Sequence, residues 1–320
     1  MNAAVVRSYD APPSYTTFEE PVPSEREVLV TVTAAGLHPI VKSLANGTHY
    51  GSTGVFPFVP GVDGVGRLED GRRVYFGVSR PPFGSFAEKT VTGVAMCVPL
   101  PDGLSDEAAA GLANPGMSSW AALTARAKFV AGESVLILGA TGSAGRLAVQ
   151  IAKRMGARRV VAAGRNPEAL EKLKELGADV TISLELGHDE LVAAFRREIT
   201  GDGVDVVLDY LWGAPAEAVL AAIAQKGLSR TAPRIRFVQV GESAGKTISL
   251  AGGTLRSSGV ELLGSGFGSA SMEQIFVAIG EMFKEAAKRP FVNRVKTAAL
   301  HDVGELWTVK EEGVRLVFRP

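Results

Sequence analysis

The stretch SVLILGATGSAGRLAVQIAKRMGA, residues 134–157, sets the architecture of the chain. SVLILGA (134–140) is a continuous apolar run of strand length. GRLAVQIAKRMG (145–156) repeats its apolar residues at helical spacing and ends on a glycine. Between them runs GATGSAG, in which Gly142 and Gly145 are the last two glycines of a dinucleotide fingerprint. Ala140 stands for the first glycine, so the pattern is A-x-G-x-x-G. The middle glycine lets a backbone approach a pyrophosphate, and the last lets helix and strand pack closely. The helix start adds N–H groups and a positive dipole end. A ligand-free strand-to-helix turn is the alternative; the strand before and the helix after favour the dinucleotide. Ala140, Thr141, Gly142, Ser143, Ala144 and Gly145 are the expected contacts. No Lys-Ser/Thr pair follows the last glycine, which excludes a Walker loop.

Downstream the same alternation continues. RRVVAAG (158–164), VDVVLDYL (204–211), RIRFVQVG (234–241) and VELLGSG (260–266) read as strands, and PEALEKLKELGA (167–178) reads as a helix. Strands alternating with helices predict a doubly wound parallel sheet. Upstream, the first hundred or so residues are rich in Pro, Gly and β-branched residues. EVLVTVTAAG (27–36) alternates like a half-buried strand, and RRVYFGV (72–78) resembles it. The expected fold class is α/β, a Rossmann sheet plus a β-rich domain. The dinucleotide-binding domain is expected over 118–269, and the β-rich domain over 1–117 with 270–320.

The balance of 34 basic and 34 acidic residues gives no reason to expect nucleic acid or an anionic membrane as partner. No apolar run approaches a membrane span, and MNAAVVRSYD lacks the pattern of a secretory signal, so the cytoplasm is the expected location. One cysteine, Cys97, excludes an internal disulfide and a multi-cysteine zinc knot.

The second strand of the sheet ends VVAAGRNPEAL. An Asp or Glu that reads a ribose 2′-hydroxyl belongs near Gly164 or Arg165. Gly164, Arg165 and Asn166 stand there instead. Without a carboxylate a 2′-phosphate is not repelled, and a guanidinium pairs with it in a bidentate way. NADP(H) is therefore expected over NAD(H); the alternative is a solvated Arg165, or one stacked on adenine. Gly241 and Ser265-Gly266 end two strands at the carboxyl edge where ligands bind, unless they serve turn geometry alone.

The chain resembles the medium-chain dehydrogenase/reductase superfamily, and within it the zinc-free quinone oxidoreductases. The resemblance spans essentially the whole chain. It is carried by GLHPIVKSLANGTHY (36–50), FPFVPGVDGVG (56–66), GRRVYFG (71–77), GSFAEKTVT (84–92), NPGMSSWAAL (114–123), GATGSAG (139–145) and GVRLVFRP in the tail. It implies a GroES-like catalytic domain, a bilobal fold with the active site in the cleft, and a homodimer. It also places Ser118 at a hydroxyl position near the nicotinamide. Zinc-dependent relatives carry a cysteine after the Gly-Val/Ile step and a histidine in Gly-His-Glu. Here His38 follows Gly36-Leu37, and Gly61-Val62-Asp63 puts valine at the histidine position. Valine cannot ligate a metal, so no metal site is expected.

Without a metal, negative charge on the accepting oxygen needs another remedy. A quinone or an enone spreads that charge by conjugation, so a hydroxyl or water donor suffices. The expected substrate is therefore a small quinone, enone or related activated carbonyl. Tyr50 takes the place of a pocket tyrosine of related quinone reductases, or is a plain loop tyrosine. His38 occupies the former metal-ligand position and faces the hydride, or holds the loop locally. Tyr50 and His38 are the catalytic candidates. Lys42 and Asn46 depart from the Asp and Arg of the quinone reductase pattern. Lys42 and His49 read as bystanders, Asp63 as a structural residue, and Phe267 as a cover over the substrate. Rival readings are a zinc-type alcohol dehydrogenase, an enoyl-thioester reductase, and an NADPH-binding protein without turnover.

Overall fold

The computed structural model describes residues 1–224, 232–309 and 313–320. The chain forms two compact units, Met1–Pro115 with Ile279–Pro320, and Gly116–Ala278.

The first unit contains β1 (Asn2–Val5), β2 (Ser14–Thr17), β3 (Glu27–Gly36), β4 (Asp63–Arg67), β5 (Arg73–Gly77), β6 (Lys89–Gly93) and β7 (Cys97–Pro99). Helix α1 (Pro39–Ala45) follows β3, and α2 (Asp106–Ala121) begins in this unit. The alternation in EVLVTVTAAG works as expected: Val30, Val32 and Ala34 point inward from β3. A bulge between Val32 and Ala34 shifts its register against β4. Strands Arg294–Ala299 and Val314–Arg319 from the tail extend the same sheet, with Val317 opposite Gly36 and Phe318 opposite Ala35. The core behind them is aromatic and aliphatic. The ring of Phe86 meets Phe318 at 5.5 Å and Trp307 at 6.2 Å between centroids. The tail strand therefore lies beside the point where β3 hands over to α1.

The second unit holds β8 (Ser134–Leu138), β9 (Arg159–Gly164), β10 (Val180–Ser183), β11 (Val206–Asp209), β12 (Arg234–Gln239) and β13 (Gly259–Gly264). All pairings are parallel, in the order β10-β9-β8-β11-β12-β13. Every residue of β8 is buried, which is why it reads as an unbroken apolar run instead of an alternating one. The connecting helices are α3 (Ser143–Arg154), α4 (Pro167–Glu175), α5 (His188–Thr200), α6 (Gly213–Ile223) and α7 (Gly252–Ser257). Leu136, Leu138 and Val207 form one core with Phe195 of α5 and Val219 of α6. From β8 the strands run one way through β9 and β10, and the other way through β11 to β13. The reversal falls between β8 and β11, the position at which such sheets bind ligands. Among the described residues no helix is long and apolar enough to cross a membrane.

Candidate cofactor and active site

The turn from β8 into α3 is held by backbone alone. Gly139 has φ +81°, and its N–H and that of Ala140 both donate to the carbonyl of Ala163 on β9, at 3.0 and 2.9 Å. A Cβ on Gly145 would lie 2.2 Å from the Gly139 carbonyl oxygen, so only glycine lets α3 sit this close to the strand. A Cβ on Gly164 would lie 2.5 Å from Cγ2 of Thr141, so Thr141 packs onto the end of β9. Gly142 is different. It is exposed, has φ −72°, and a Cβ there would come no closer than 3.5 Å to any atom. Nothing inside the protein requires a glycine at 142. An outside ligand approaching the backbone would require one. Gly142 caps α3, whose first-turn N–H groups at Ser143, Ala144 and Gly145 have no acceptor within the helix. The loop fits a pyrophosphate.

Beyond the loop, the expected cofactor residues fall into two groups. Arg165 is exposed at the end of β9 and makes no hydrogen bond or ion pair among the described residues. Asn166 is already engaged: its Oδ1 accepts from the Ala169 N–H at 2.9 Å and caps α4. Gly241 lies against Tyr210, where a Cβ would be 2.8 Å from the Tyr210 carbonyl oxygen. The Ser265 N–H donates to the Gln239 carbonyl at 2.8 Å, extending the β12–β13 pairing. Gly266 lies in a turn closed by the Ser269 hydroxyl, and Phe267 in that turn is exposed. The Ser118 hydroxyl lies 3.2 Å from the hydroxyl of Tyr210. Burial pushes the Tyr210 phenol up to about 12, so it is protonated at neutral pH.

In the β-rich unit the two catalytic candidates have opposite surroundings. Tyr50 is 82% exposed and stacks on His49, with ring centroids 4.1 Å apart. His49 is half-buried, and its Nδ1 accepts from the Gly51 N–H. His38 is 0% exposed. It precedes Pro39 at the start of α1, and its ring turns back over Gly36, where a Cβ would be 2.5 Å from its Nε2. That Nε2 is 3.4 Å from Oδ1 of Asp63, and Oδ2 of Asp63 accepts from the Tyr75 hydroxyl at 3.0 Å. Arg315 from the tail strand donates to the Leu37 carbonyl at 2.9 Å. Burial holds His38 below its ordinary pKa; Asp63 opposes the shift, and Arg315 adds to it. Burial and the Asp63 carboxylate hold the Tyr75 phenol well above its ordinary pKa. Of the two readings of His38, one facing the hydride and one holding the loop locally, the inward ring over Gly36 is the geometry of the second. Asn46 is occupied locally, accepting from the Thr48 N–H and hydroxyl. Lys42 is half-buried.

Three residues of these surroundings escape a reading of the sequence. Tyr75 reaches Asp63 across the β4–β5 hairpin, and Arg315 comes in from the tail strand; no motif marks either. Tyr210 follows Asp209 directly. Its signal is present: a residue just past the fourth strand of a Rossmann order lies at the reversal point.

Residues 144–281 match the model of a family described as zinc-binding dehydrogenase. Over its full length the chain is 29% identical to the full length of a probable NADPH-dependent quinone reductase, tdiC, of Emericella nidulans. Over 60% of its length it is 28% identical to the quinone oxidoreductase of Homo sapiens, and it covers 59% of that protein. Among solved structures, it matches a quinone oxidoreductase from Thermus thermophilus, determined also in complex with NADPH. That match has a TM-score of 0.77 and 28% identity, over 100% of both chains.

Proposed function

We propose a function from one premise: the chain belongs to the medium-chain dehydrogenase/reductase superfamily and is quinone oxidoreductase-like within it. On that premise it is an NADPH-dependent oxidoreductase that reduces a small quinone, enone or related activated carbonyl without zinc. The observation that carries the reading is Gly142, a glycine that the protein's own packing does not need, at the centre of a phosphate-binding turn.

The cofactor supplies a hydride from its dihydronicotinamide ring. The Gly139–Gly145 turn and the first N–H groups of α3 hold the pyrophosphate. Arg165, exposed and without a partner among the described residues, takes the 2′-phosphate. Ser118 serves the nicotinamide end. In the β-rich unit Tyr50 offers a ring and a hydroxyl to the substrate. His38, wholly buried, acts as a positioning residue, holding the start of α1 through Asp63. Zinc independence rests on the donor set. Val62 stands where relatives place a histidine, and among the described residues no three His, Cys, Asp or Glu side chains converge as a metal would require. A homodimer and a cytoplasmic location belong to the same reading.

The test is NADPH absorbance followed over a panel of quinones, enones, ketones and enoyl thioesters, with and without chelator. Oxidation with quinones or enones that survives the chelator supports the reading. Turnover confined to ketones, or lost to chelator and restored by zinc, overturns it. Enoyl-thioester turnover alone corrects the substrate class.

A further inference from the structure

We propose that Tyr210 is a positioning residue for hydride transfer, fixing the nicotinamide half of NADPH through the hydroxyl of Ser118. The inference rests on the cofactor reading above and adds a residue that neither the motif nor the resemblance contains.

Three observations carry it. The first is place. Tyr210 follows β11, and β11 lies beside β8 where the strand order reverses. Gly139, which opens the phosphate turn, lies against it; a Cβ there would be 3.4 Å from the Tyr210 Cβ. The second is fixation. The Tyr210 N–H donates to the Leu138 carbonyl, and its own carbonyl accepts from the Ser243 hydroxyl at 3.0 Å. Gly241 packs on that same carbonyl. Just beyond, Asp209 accepts from the N–H groups of Leu211 and Trp212, and Trp212 is held at φ +56°. A tryptophan in that region is strained, and such strain persists only where the surroundings over-determine it. The third is the side chain. Tyr210 is half-buried, with its hydroxyl 3.2 Å from that of Ser118. Ser118 is half-buried too. Two paired hydroxyls, rigidly mounted at a ligand-binding edge, suit the polar carboxamide and ribose of a nicotinamide riboside. A phenol that remains protonated gives the pair a fixed donor.

Orientation has a measurable signature. A loosened nicotinamide still binds through its pyrophosphate, but it presents C4 less well, and a misplacement of about 1 Å costs on the order of 100-fold in rate. Tyr210→Phe, Ser118→Ala, Ser118→Thr and the Tyr210→Phe/Ser118→Ala double variant are compared with the wild type. The readouts are kcat, NADPH dissociation constant, urea midpoint, and deuterium transfer from NADPH labelled on one face of C4. Tyr210→Phe and Ser118→Ala should each lower kcat about tenfold, with NADPH affinity changed less than about threefold. The double variant should fall no further than either single one, because the pair acts as a unit. Transfer from the second face of C4 should appear in both single variants, and Ser118→Thr, which keeps the hydroxyl, should lose less kcat than Ser118→Ala. Wild-type kcat and single-face transfer in Tyr210→Phe overturn the inference. So does a double variant in which the two losses multiply. If Tyr210→Phe does not fold, Ser118→Ala against Ser118→Thr decides: equal behaviour overturns the proposal, and a larger loss in alanine, with transfer from the second face, supports it. A wild type that binds no NADPH overturns both the inference and the cofactor reading; intact wild-type binding with an indifferent Tyr210→Phe overturns the inference alone.

Discussion

Two strand-to-helix turns of this chain, β8 into α3 and β3 into α1, build their sites by opposite means. The first closes on backbone: Gly145 fits because a Cβ would strike the Gly139 carbonyl, and Gly142 is open to the outside. The second closes on side chains: Gly36 leaves room for the ring of His38, which meets Asp63 from β4. A backbone site tolerates no added atom, but every atom it needs lies in one short stretch. A side-chain site draws its partners from several strands, and its stability is tied to their ionisation.

The sharpest way to break this contrast lies within the first turn. Gly145→Ala should lose on the order of 3 kcal/mol of stability or fail to accumulate, since the clash is with rigid backbone. Gly142→Ala should keep the wild-type urea midpoint and weaken NADPH binding at least about tenfold. Equal behaviour of the two variants in urea melts would remove the distinction between a packing glycine and a ligand glycine.

The next effect is electrostatic and has opposite signs in the two units. Burial raises the Asp209 carboxyl to about 6 from an ordinary 3.8, so the folded state binds its proton more tightly than the unfolded chain does. Its contribution to stability therefore falls as pH rises from about 4 to about 6, by roughly 3 kcal/mol in all. His38 is shifted down, so its contribution is present above pH 6.5 and is lost as pH falls below it toward the depressed value. Relative to wild type, Asp209→Asn should gain stability as pH rises through that window. His38→Gln should gain as pH falls below 6.5. Parallel curves from chemical denaturation at a series of pH values would contradict the assignment of causes.

Smaller still are the two exposed residues. Arg165→Ala should raise KM for NADPH about tenfold and leave KM for NADH unchanged, the worth of one charge-assisted contact. Tyr50→Phe should leave the urea midpoint alone, since the side chain is exposed, and lower kcat/KM by less than about tenfold. A fall in stability instead would make Tyr50 part of the fold and leave the β-rich unit without a substrate-facing candidate.

The contrast also explains what the sequence disclosed. The parallel sheet was legible because buried strands and amphipathic helices alternate along 134–266, and the phosphate turn because its glycine spacing is the geometry itself. Arg165 was legible by the absence of a carboxylate after β9. His38 was singled out by its position in the chain, and the direction of its ring was not legible. The ring turns inward because of Gly36 on one side and Asp63, Tyr75 and Arg315 on the other, and only the folded chain brings those together. Asn166 reads as a cofactor contact because it follows Arg165; its capping of α4 through Oδ1, a common use of this residue type, is not anticipated by that reading. Tyr210 escaped because no motif marks it; strand order marks it.

The central claim is metal-free hydride transfer from an NADPH seated on the Gly139–Gly145 turn. It is tested most directly by running a single enone turnover with NADPH deuterated at both C4 positions, in chelator-treated buffer, and analysing the product by mass spectrometry. The account predicts one deuterium on the carbon β to the carbonyl, at the same rate as with that labelled cofactor in untreated buffer. A reduced product without deuterium, or one that forms only after zinc is restored, would contradict it.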